Sequence, residues 1–399
     1  MNILHVTHSI DPAAGGTVEF ITQCSLAMMD QGHHAEVVSL DDPNSAFIRN
    51  AALPTHAFGP GFLGYGYCSK LVPWLRKHAS SYDAVIVHGL WQYSGLGVWR
   101  ALRKSSTPYF VFPHGMLDPW FNRTYPAKHA KKIPYWWLAE RRVLRDARAV
   151  LFTCDEERLL AQQSFSGYRC NEVTVNFGTR DPQGDRAAQK AAFIERFPEL
   201  SGKRYLLFLG RIEEKKGCDL LIQAFAEAAR HDPQVLLVMA GPDRTGWRAS
   251  LEALAERAGI AQKILWTGML MGDEKWGAIS GAEAFVLPSH QENFGIAVAE
   301  SLACSVPVLI SNKVNIWRGI QEDGAGLVAD DTLDGVSAML SDWVKLATRQ
   351  RAEMAARARS CFMRRFEMTH AAKTLVKALE TCGVKRPSGI SLSGNLAHV

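Results

Sequence analysis

Several things are missing from this 399-residue sequence, and each absence excludes a class of function. No apolar run reaches the roughly 18 residues that cross a bilayer, so no membrane-spanning helix is expected. The N-terminus has no basic flank followed by an apolar stretch. No secretory signal is expected, and the chain reads as cytoplasmic. The eight cysteines (Cys24, Cys68, Cys154, Cys170, Cys218, Cys304, Cys361 and Cys382) include no C-x-x-C pair, and most sit in apolar surroundings. They read as reduced core thiols, which excludes a disulfide framework or a zinc site. The net charge is only +5, too small to call for nucleic acid as a partner. No G-x-G-x-x-G follows either strand that opens an α/β series, which disfavours a dehydrogenase. No two aspartates are spaced D-x-D.

What is present is a globular composition, 47% hydrophobic and 21% charged, on a chain longer than one core usually holds. Two domains are therefore predicted. Asn2 to Thr7 reads as a first strand, followed by a loop ending in Gly15-Gly16 and a helical pattern from Val18 to Met29. Strand Ala35 to Leu40 completes a β-loop-α-β unit, with the glycine pair at the carboxyl end where open α/β sheets bind ligands. The alternative is that the glycines only ease a tight turn. Strands Ala84 to His88, Tyr109 to Phe112, Ala149 to Thr153 and Val173 to Val175 continue the series. Two of them run into histidine, at His88-Gly89 and at Pro113-His114-Gly115; each His is a site candidate or a buried structural group.

Residues 176–190 (NFGTRDPQGDRAAQK) are polar, lack apolar periodicity and read as an interdomain linker. A second alternating series follows, with strands Tyr205 to Leu209, Val235 to Ala240, Ile264 to Thr267, Ala284 to Leu287, Val306 to Ile310 and Gly326 to Val328. Val344 to Leu379 is helical. The expected boundaries are 1–180 for the N-terminal domain, 181–365 for the C-terminal domain, a terminal helix over 366–385 crossing back, and a disordered tail over 386–399.

Trp120 to Val150 carries Lys128, Lys131, Lys132, Arg141, Arg142 and Arg145, interrupted by Tyr135, Trp136 and Trp137. Two accounts stand side by side. The segment is an interfacial helix meeting anionic lipid, or an ordinary helix with core aromatics and a solvated basic face.

Two stretches carry the chemistry. The run PSHQENFGIAVAESLACSVP, from Pro288 to Pro307, leaves a buried strand through a polar loop and enters a helix near Phe294. A helix N-terminus suits an anion, and Glu292 and Glu300 flank it about two turns apart. After strand Tyr205 to Leu209 comes GRIEEKKG, in which Arg211 offers a planar fork and Lys216 a point charge, a pair suited to a diphosphate.

The patterns E-x-F-G-x-x-x-x-E and G-R-x-x-x-x-K-G, with P-H-G-M around His114 and Gly241-Pro242, resemble the retaining nucleotide-sugar glycosyltransferases of family 4. The resemblance runs from Gly15-Gly16 to Pro307 and implies the GT-B fold: α/β, two Rossmann-like parallel-sheet domains facing across a cleft. It implies that Arg211 and Lys216 hold the donor diphosphate, that Glu300 binds the ribose, and that Glu292 binds the transferred sugar. Gly15 and Gly16 would approach the diphosphate, Met269 and Leu270 the base, and the amides of Asn293, Phe294, Gly295 and Ile296 the sugar and phosphate. His114 would face the sugar. Glu292, His114, Arg211 and Lys216 form the implied catalytic set, with no cofactor and no metal, since the charge of the leaving group would be met by Arg211, Lys216 and the helix end. The expected partners are a nucleotide-sugar donor, a saccharide or lipid-linked saccharide acceptor of surface polysaccharide synthesis, and an anionic inner membrane face through Lys128, Lys131, Lys132, Trp136 and Trp137. A nucleotide-sugar epimerase and a non-catalytic two-domain sugar-binding protein are the alternatives.

Overall fold

Short, mainly apolar runs such as Ala84–His88 (AVIVH) and Tyr109–Phe112 (YFVF) are buried along their whole length, as strands covered by helices on both faces must be. The computed structural model describes residues 1–385; the tail expected over 386–399 lies outside the described residues. The first half forms β1 (Asn2–Val6), β2 (His34–Ser39), β3 (Thr55–Ala57), β4 (Ala84–His88), β5 (Tyr109–Phe112), β6 (Ala149–Phe152) and β7 (Glu172–Thr174). They make one seven-stranded parallel sheet in the order β3-β2-β1-β4-β5-β6-β7. The second half forms β8 (Arg204–Leu209), β9 (Val235–Ala240), β10 (Ile264–Gly268), β11 (Ala284–Leu287), β12 (Val308–Ser311) and β13 (Gly326–Ala329). These make a six-stranded parallel sheet in the order β10-β9-β8-β11-β12-β13.

Strand order reverses between β1 and β4 in the first sheet and between β8 and β11 in the second. Beyond the carboxyl ends of strands at such a reversal, connecting loops diverge to opposite faces and leave a crevice. The loops after β1, β4 and β5 meet there with those after β8 and β11, and all the candidate residues of the donor site except Gly16 at the start of the first helix, Met269, Leu270 and those on the helix after β11 lie on these loops. Edge strand β3 had no signal in the sequence, because three half-buried residues (Thr55, His56, Ala57) give no run to read.

One chain of aromatic contacts ties the halves together. Phe177 lies 4.0 Å from Phe20 and 4.5 Å from Phe294, and Phe294 lies 5.7 Å from Phe366. The chain passes between the halves twice, and the two passages pair: the Thr179 N–H donates to the Phe366 carbonyl at 2.9 Å, and the Met368 N–H to the Thr179 carbonyl at 3.1 Å. The helix Met368–Thr381 lies against the first helix, Gly16–Met29, where the Gln31 amide reaches the Thr369 carbonyl at 3.4 Å.

The segment read as a linker is shorter than expected. Arg186 already begins the helix Arg186–Arg196, capped by the Asp185 carboxylate on the Ala187 N–H at 2.8 Å. Its apolar anchor is Phe193, buried 6.1 Å from Tyr205, and one buried aromatic is too little periodicity to read from sequence.

The basic aromatic segment also departs from expectation. It forms the helix Pro126–Tyr135, a wide π-helical turn Trp136–Glu140 and the helix Arg141–Asp146. Trp136 is 1% exposed, stacks 4.8 Å from Phe165 and donates its indole N–H to the Ser166 carbonyl at 2.9 Å. It is core and cannot reach a membrane. Lys132 is also turned in, over the Trp91 ring at 4.5 Å. Trp137, Leu138 and Ile133 face out.

Candidate active site

The loop after β11 is built to offer backbone donors. Glu292 is pinned by its own backbone, its N–H donating to the Lys313 carbonyl at 2.9 Å and its carbonyl accepting from Asn315 at 3.0 Å. Gly295 then takes φ +76°, a left-handed conformation natural to glycine, and starts the helix Ile296–Ala303. Val298 and Ala299 donate to the Gly295 carbonyl at 2.9 and 3.2 Å, and the N–H groups of Ile296 and Ala297 before them have no acceptor within the helix. Phe294 points away into the aromatic stack between the halves, so its side chain serves packing and only its amide is available to a ligand.

Lys216 closes on Glu292 in a largely buried ion pair. Burial pushes the Glu292 carboxyl up, but Lys216, Lys215 and Arg211 outweigh burial and hold it below its ordinary range. Arg211 itself is half-exposed and rests on Glu213 at 2.9 Å, so it adds field without touching Glu292. Glu300 is 6% exposed and pairs with Lys275 at 2.5 Å. There burial wins over Lys275, and the carboxyl lies above its ordinary range. Lys275 stands 25 residues before its partner and carried no sequence signal.

Gly15, Gly16, Met269, Leu270, Lys275 and Glu300 line one cavity of about 710 Å³, with Ile296 behind them. A Cβ on Gly16 would come within 2.9 Å of Ile296 Cδ1, so the two halves meet closely at this glycine.

His114 enters from the first half with φ +51°, a strained value for a residue with a Cβ. It ends a line of three imidazoles: His5 Nδ1 lies 2.8 Å from His88 Nε2, and His88 Nδ1 lies 2.9 Å from His114 Nε2. Burial brings His5 down to about 4 and His114 to about 3, and holds His88 well below its usual value, so all three are neutral. A neutral ring has one N–H, so the tautomers are coupled. A proton on His5 Nδ1 requires one on His88 Nδ1 and one on His114 Nδ1; reversal at one ring reverses all three.

Glu157 fixes the turn that carries His114. Its buried carboxylate accepts from the Gly115 N–H at 2.6 Å, the Thr153 N–H at 2.7 Å and the Thr153 hydroxyl at 2.6 Å. The Thr153 hydroxyl in turn accepts from the Asn293 amide across the cleft at 3.2 Å. A second polar clasp joins the Gln291 amide to the Asp118 carboxylate at 3.0 Å. Sequence reasoning missed Glu157, Thr153 and Asp118, since their roles depend on distances of up to 173 residues along the chain. Among the described residues no group of three or more His, Cys, Asp or Glu side chains could hold a metal ion.

Residues 189–360 match the family of glycosyl transferases group 1, and residues 15–176 match the glycosyl transferase 4-like domain. A GDP-mannose:cellobiosyl-diphosphopolyprenol alpha-mannosyltransferase from Xanthomonas campestris is 25% identical over 382 residues, 93% of this chain and 94% of that protein. A D-inositol 3-phosphate glycosyltransferase from Geodermatophilus obscurus is 27% identical over 343 residues, 79% of this chain and 74% of that protein. Among solved structures, sucrose-phosphate synthase from Thermosynechococcus elongatus superposes with a TM-score of 0.74 at 18% identity, covering 96% of this chain and 99% of that one. HepE from Anabaena, in complex with UDP and glucose, superposes with a TM-score of 0.72 at 16% identity, covering 96% of this chain and 100% of that one.

Proposed function

The chain belongs to the group 1 glycosyl transferases and has their GT-B fold, and on that premise we propose that it moves a hexose from a nucleoside-diphosphate sugar to a saccharide acceptor with retention of configuration. The observation that carries this reading is the cavity of about 710 Å³ reached from both halves, with close-approach glycines on one wall and Glu300 on the other. Glu300 accepts the ribose hydroxyls, and Met269 and Leu270 flank the base. The diphosphate lies between Gly15-Gly16 and the helix start at Ile296, where unpaired N–H groups and the helix dipole favour an anion. Lys216 and Arg211 stabilise the charge that develops as the diphosphate departs, without a metal. Glu292, held ionised, fixes Lys216 and meets the sugar hydroxyls, and His114 meets the sugar from the opposite wall. The acceptor hydroxyl attacks the face that the diphosphate leaves and passes its proton to the departing phosphate.

The test is a panel of nucleotide sugars screened for protection against thermal unfolding, then for label transfer. One donor should raise the unfolding midpoint, as a ligand selective for the native state must. Protein indifferent to every nucleoside diphosphate and its sugars would sink the reading.

We further propose that the acceptor is lipid-linked and that the protein lies on an anionic membrane face. No helix among the described residues is long and apolar enough to cross a membrane. The support is a surface of Ile133, Trp137 and Leu138 beside Phe62 and Leu63, all at least 41% exposed. The loop carrying Phe62 and Leu63 is tied to the helix by the Tyr65 and Tyr135 hydroxyls, 2.9 Å apart. Lys128, Lys131 and Arg142 are exposed on the same helical segment, each adding about 1 kcal/mol beside anionic lipid. Co-sedimentation with phosphatidylglycerol vesicles should fall at high salt and disappear in Leu138→Glu. Protein left in the supernatant at low salt refutes it.

A further inference from the structure

The interdomain cleft has a second mouth. The cavity that holds Glu300 opens on the side of the helices Gly272–Gly281 and Ile296–Ala303. At Lys215 lies another cavity of about 590 Å³, lined from the first half by Trp120 and Tyr125 and from the second by Lys215, Asp219, Trp247, Ser250 and Arg257. Lys215 lies between Glu214, which also lines the far cavity, and Lys216, which pairs with Glu292, and its ammonium rests over the Trp120 and Phe121 rings at 6.0 and 5.3 Å. The pair where sugar transfer is proposed lines neither cavity and is joined to the far one through Lys215, the chain neighbour of Lys216.

The lining of the far cavity has the chemistry of a sugar site. A pyranose has apolar C–H faces and a rim of hydroxyls, so it takes flat aromatic surface together with unpaired polar groups. Trp120, Tyr125 and Trp247 supply the rings. The Trp120 and Trp247 indole N–H groups, the Tyr125 hydroxyl, the Asp219 carboxylate and the Arg257 guanidinium have no protein partner among the described residues. The cavity also adjoins the helix Pro126–Tyr135, through Tyr125 and the Lys128 ammonium 4.7 Å above its ring.

We propose that this cavity binds the saccharide portion of the acceptor, one or two pyranose units deep, while the nucleotide occupies the opposite mouth. The proposal rests on the transfer reading for the word acceptor, and on the cavity alone for the word saccharide. Donor and acceptor then enter from opposite sides and meet at Lys216 and Glu292. The mouth that takes the acceptor lies next to the surface proposed to face lipid, so a lipid-linked saccharide reaches in while its tail stays outside.

The test uses two readouts on the full chain. Tryptophan emission is titrated with cellobiose, maltose and octyl β-maltoside, because Trp120 and Trp247 report on the cavity directly. At least one should bind saturably, with affinity reduced tenfold or more in Ser250→Trp, which fills the cavity from an exposed position, and in Trp247→Ala. Nucleoside diphosphate affinity should stay within twofold in both, which also shows that they fold. No saturable binding by the wild type, or equal binding by both variants, overturns the proposal. The second readout is label transfer from the donor into a membrane lipid extract. Saccharide bound with no transfer by the wild type breaks the transfer reading and leaves the cavity standing; transfer intact in Ser250→Trp breaks the assignment to the acceptor.

Discussion

Gly115 offers a way to damage closure of the cleft without touching a ligand. Its φ is +77°, and a Cβ built there would stand 2.8 Å from Asn293 Cβ, 2.8 Å from Cγ and 2.9 Å from Oδ1. Gly115→Ala therefore has two costs. Left-handed strain, on the order of 1–2 kcal/mol for a residue with a Cβ, falls on the first half alone. The overlap falls on the contact between halves, because Asn293 belongs to the other sheet. Overpacking of this kind costs about 1–3 kcal/mol, and separating the halves relieves it. The variant should fold with a melting temperature a few degrees lower, and kcat/KM should fall about 5- to 150-fold, tenfold for each 1.4 kcal/mol. Small-angle scattering should show a more open average shape. The decisive assay is a double-mutant cycle with Asn293→Gly, which removes all three overlapping atoms; Asn293→Ala would keep the Cβ. The cycle should return a favourable coupling of about 1–3 kcal/mol in kcat/KM and none in melting temperature. A Gly115→Ala defect that Asn293→Gly leaves untouched would mean that the contact across the cleft does not limit turnover.

Other outcomes follow from the same geometry. Lys216→Ala should raise the barrier behind kcat by about 2–4 kcal/mol, since it removes a group aimed at developing charge, whereas Glu300→Ala should chiefly weaken nucleoside diphosphate binding; unchanged affinity in Glu300→Ala would remove its ribose role. Donor turnover should survive EDTA, and loss restored by manganese would contradict the charge assignment to Lys216 and Arg211. Burial pushes Glu140 up to about 8. The folded protein then holds a proton that the unfolded chain releases near 4.5, so stability drains away as pH rises from about 5 to 8. Denaturant unfolding should find Glu140→Gln increasingly stable relative to wild type over that range, and a pH-independent difference would mean that Glu140 is ionised in the fold.

The candidate site was legible wherever its chemistry lies in contiguous residues. Gly15-Gly16, Arg211 to Lys216 and Glu292 to Ile296 each sit at the carboxyl end of a strand whose apolar run announces it, so their place in the cleft could be read before any coordinates. What contacts them could not. Lys275 reaches Glu300 because the helix Gly272–Gly281 lies beside Ile296–Ala303, and His5 and His88 stand behind His114 because β1, β4 and β5 are neighbours in the sheet. Adjacency of strands is a property of sheet order, which no local pattern encodes. Trp136 and Trp137 show the same limit at closer range. Two neighbouring tryptophans have one pattern, yet the π-helical turn sends the first to Phe165 and the second to solvent.

The paired passages at Thr179 and Phe366–Met368 decide which relative motions of the halves are easy. A single covalent tether would act as a swivel, free to twist, slide and bend. Two tethers joined by hydrogen bonds act as a strap. Bending across the strap leaves its bonds intact, while sliding one half past the other must break them. An opening that keeps these bonds is a rotation about one axis, and reversing that rotation returns Gly115 to Asn293 and Thr153 to its amide. A cut in the second passage would remove this guidance while leaving every ligand-binding side chain in place, and the halves would then lose the ability to find their closed register on each turnover.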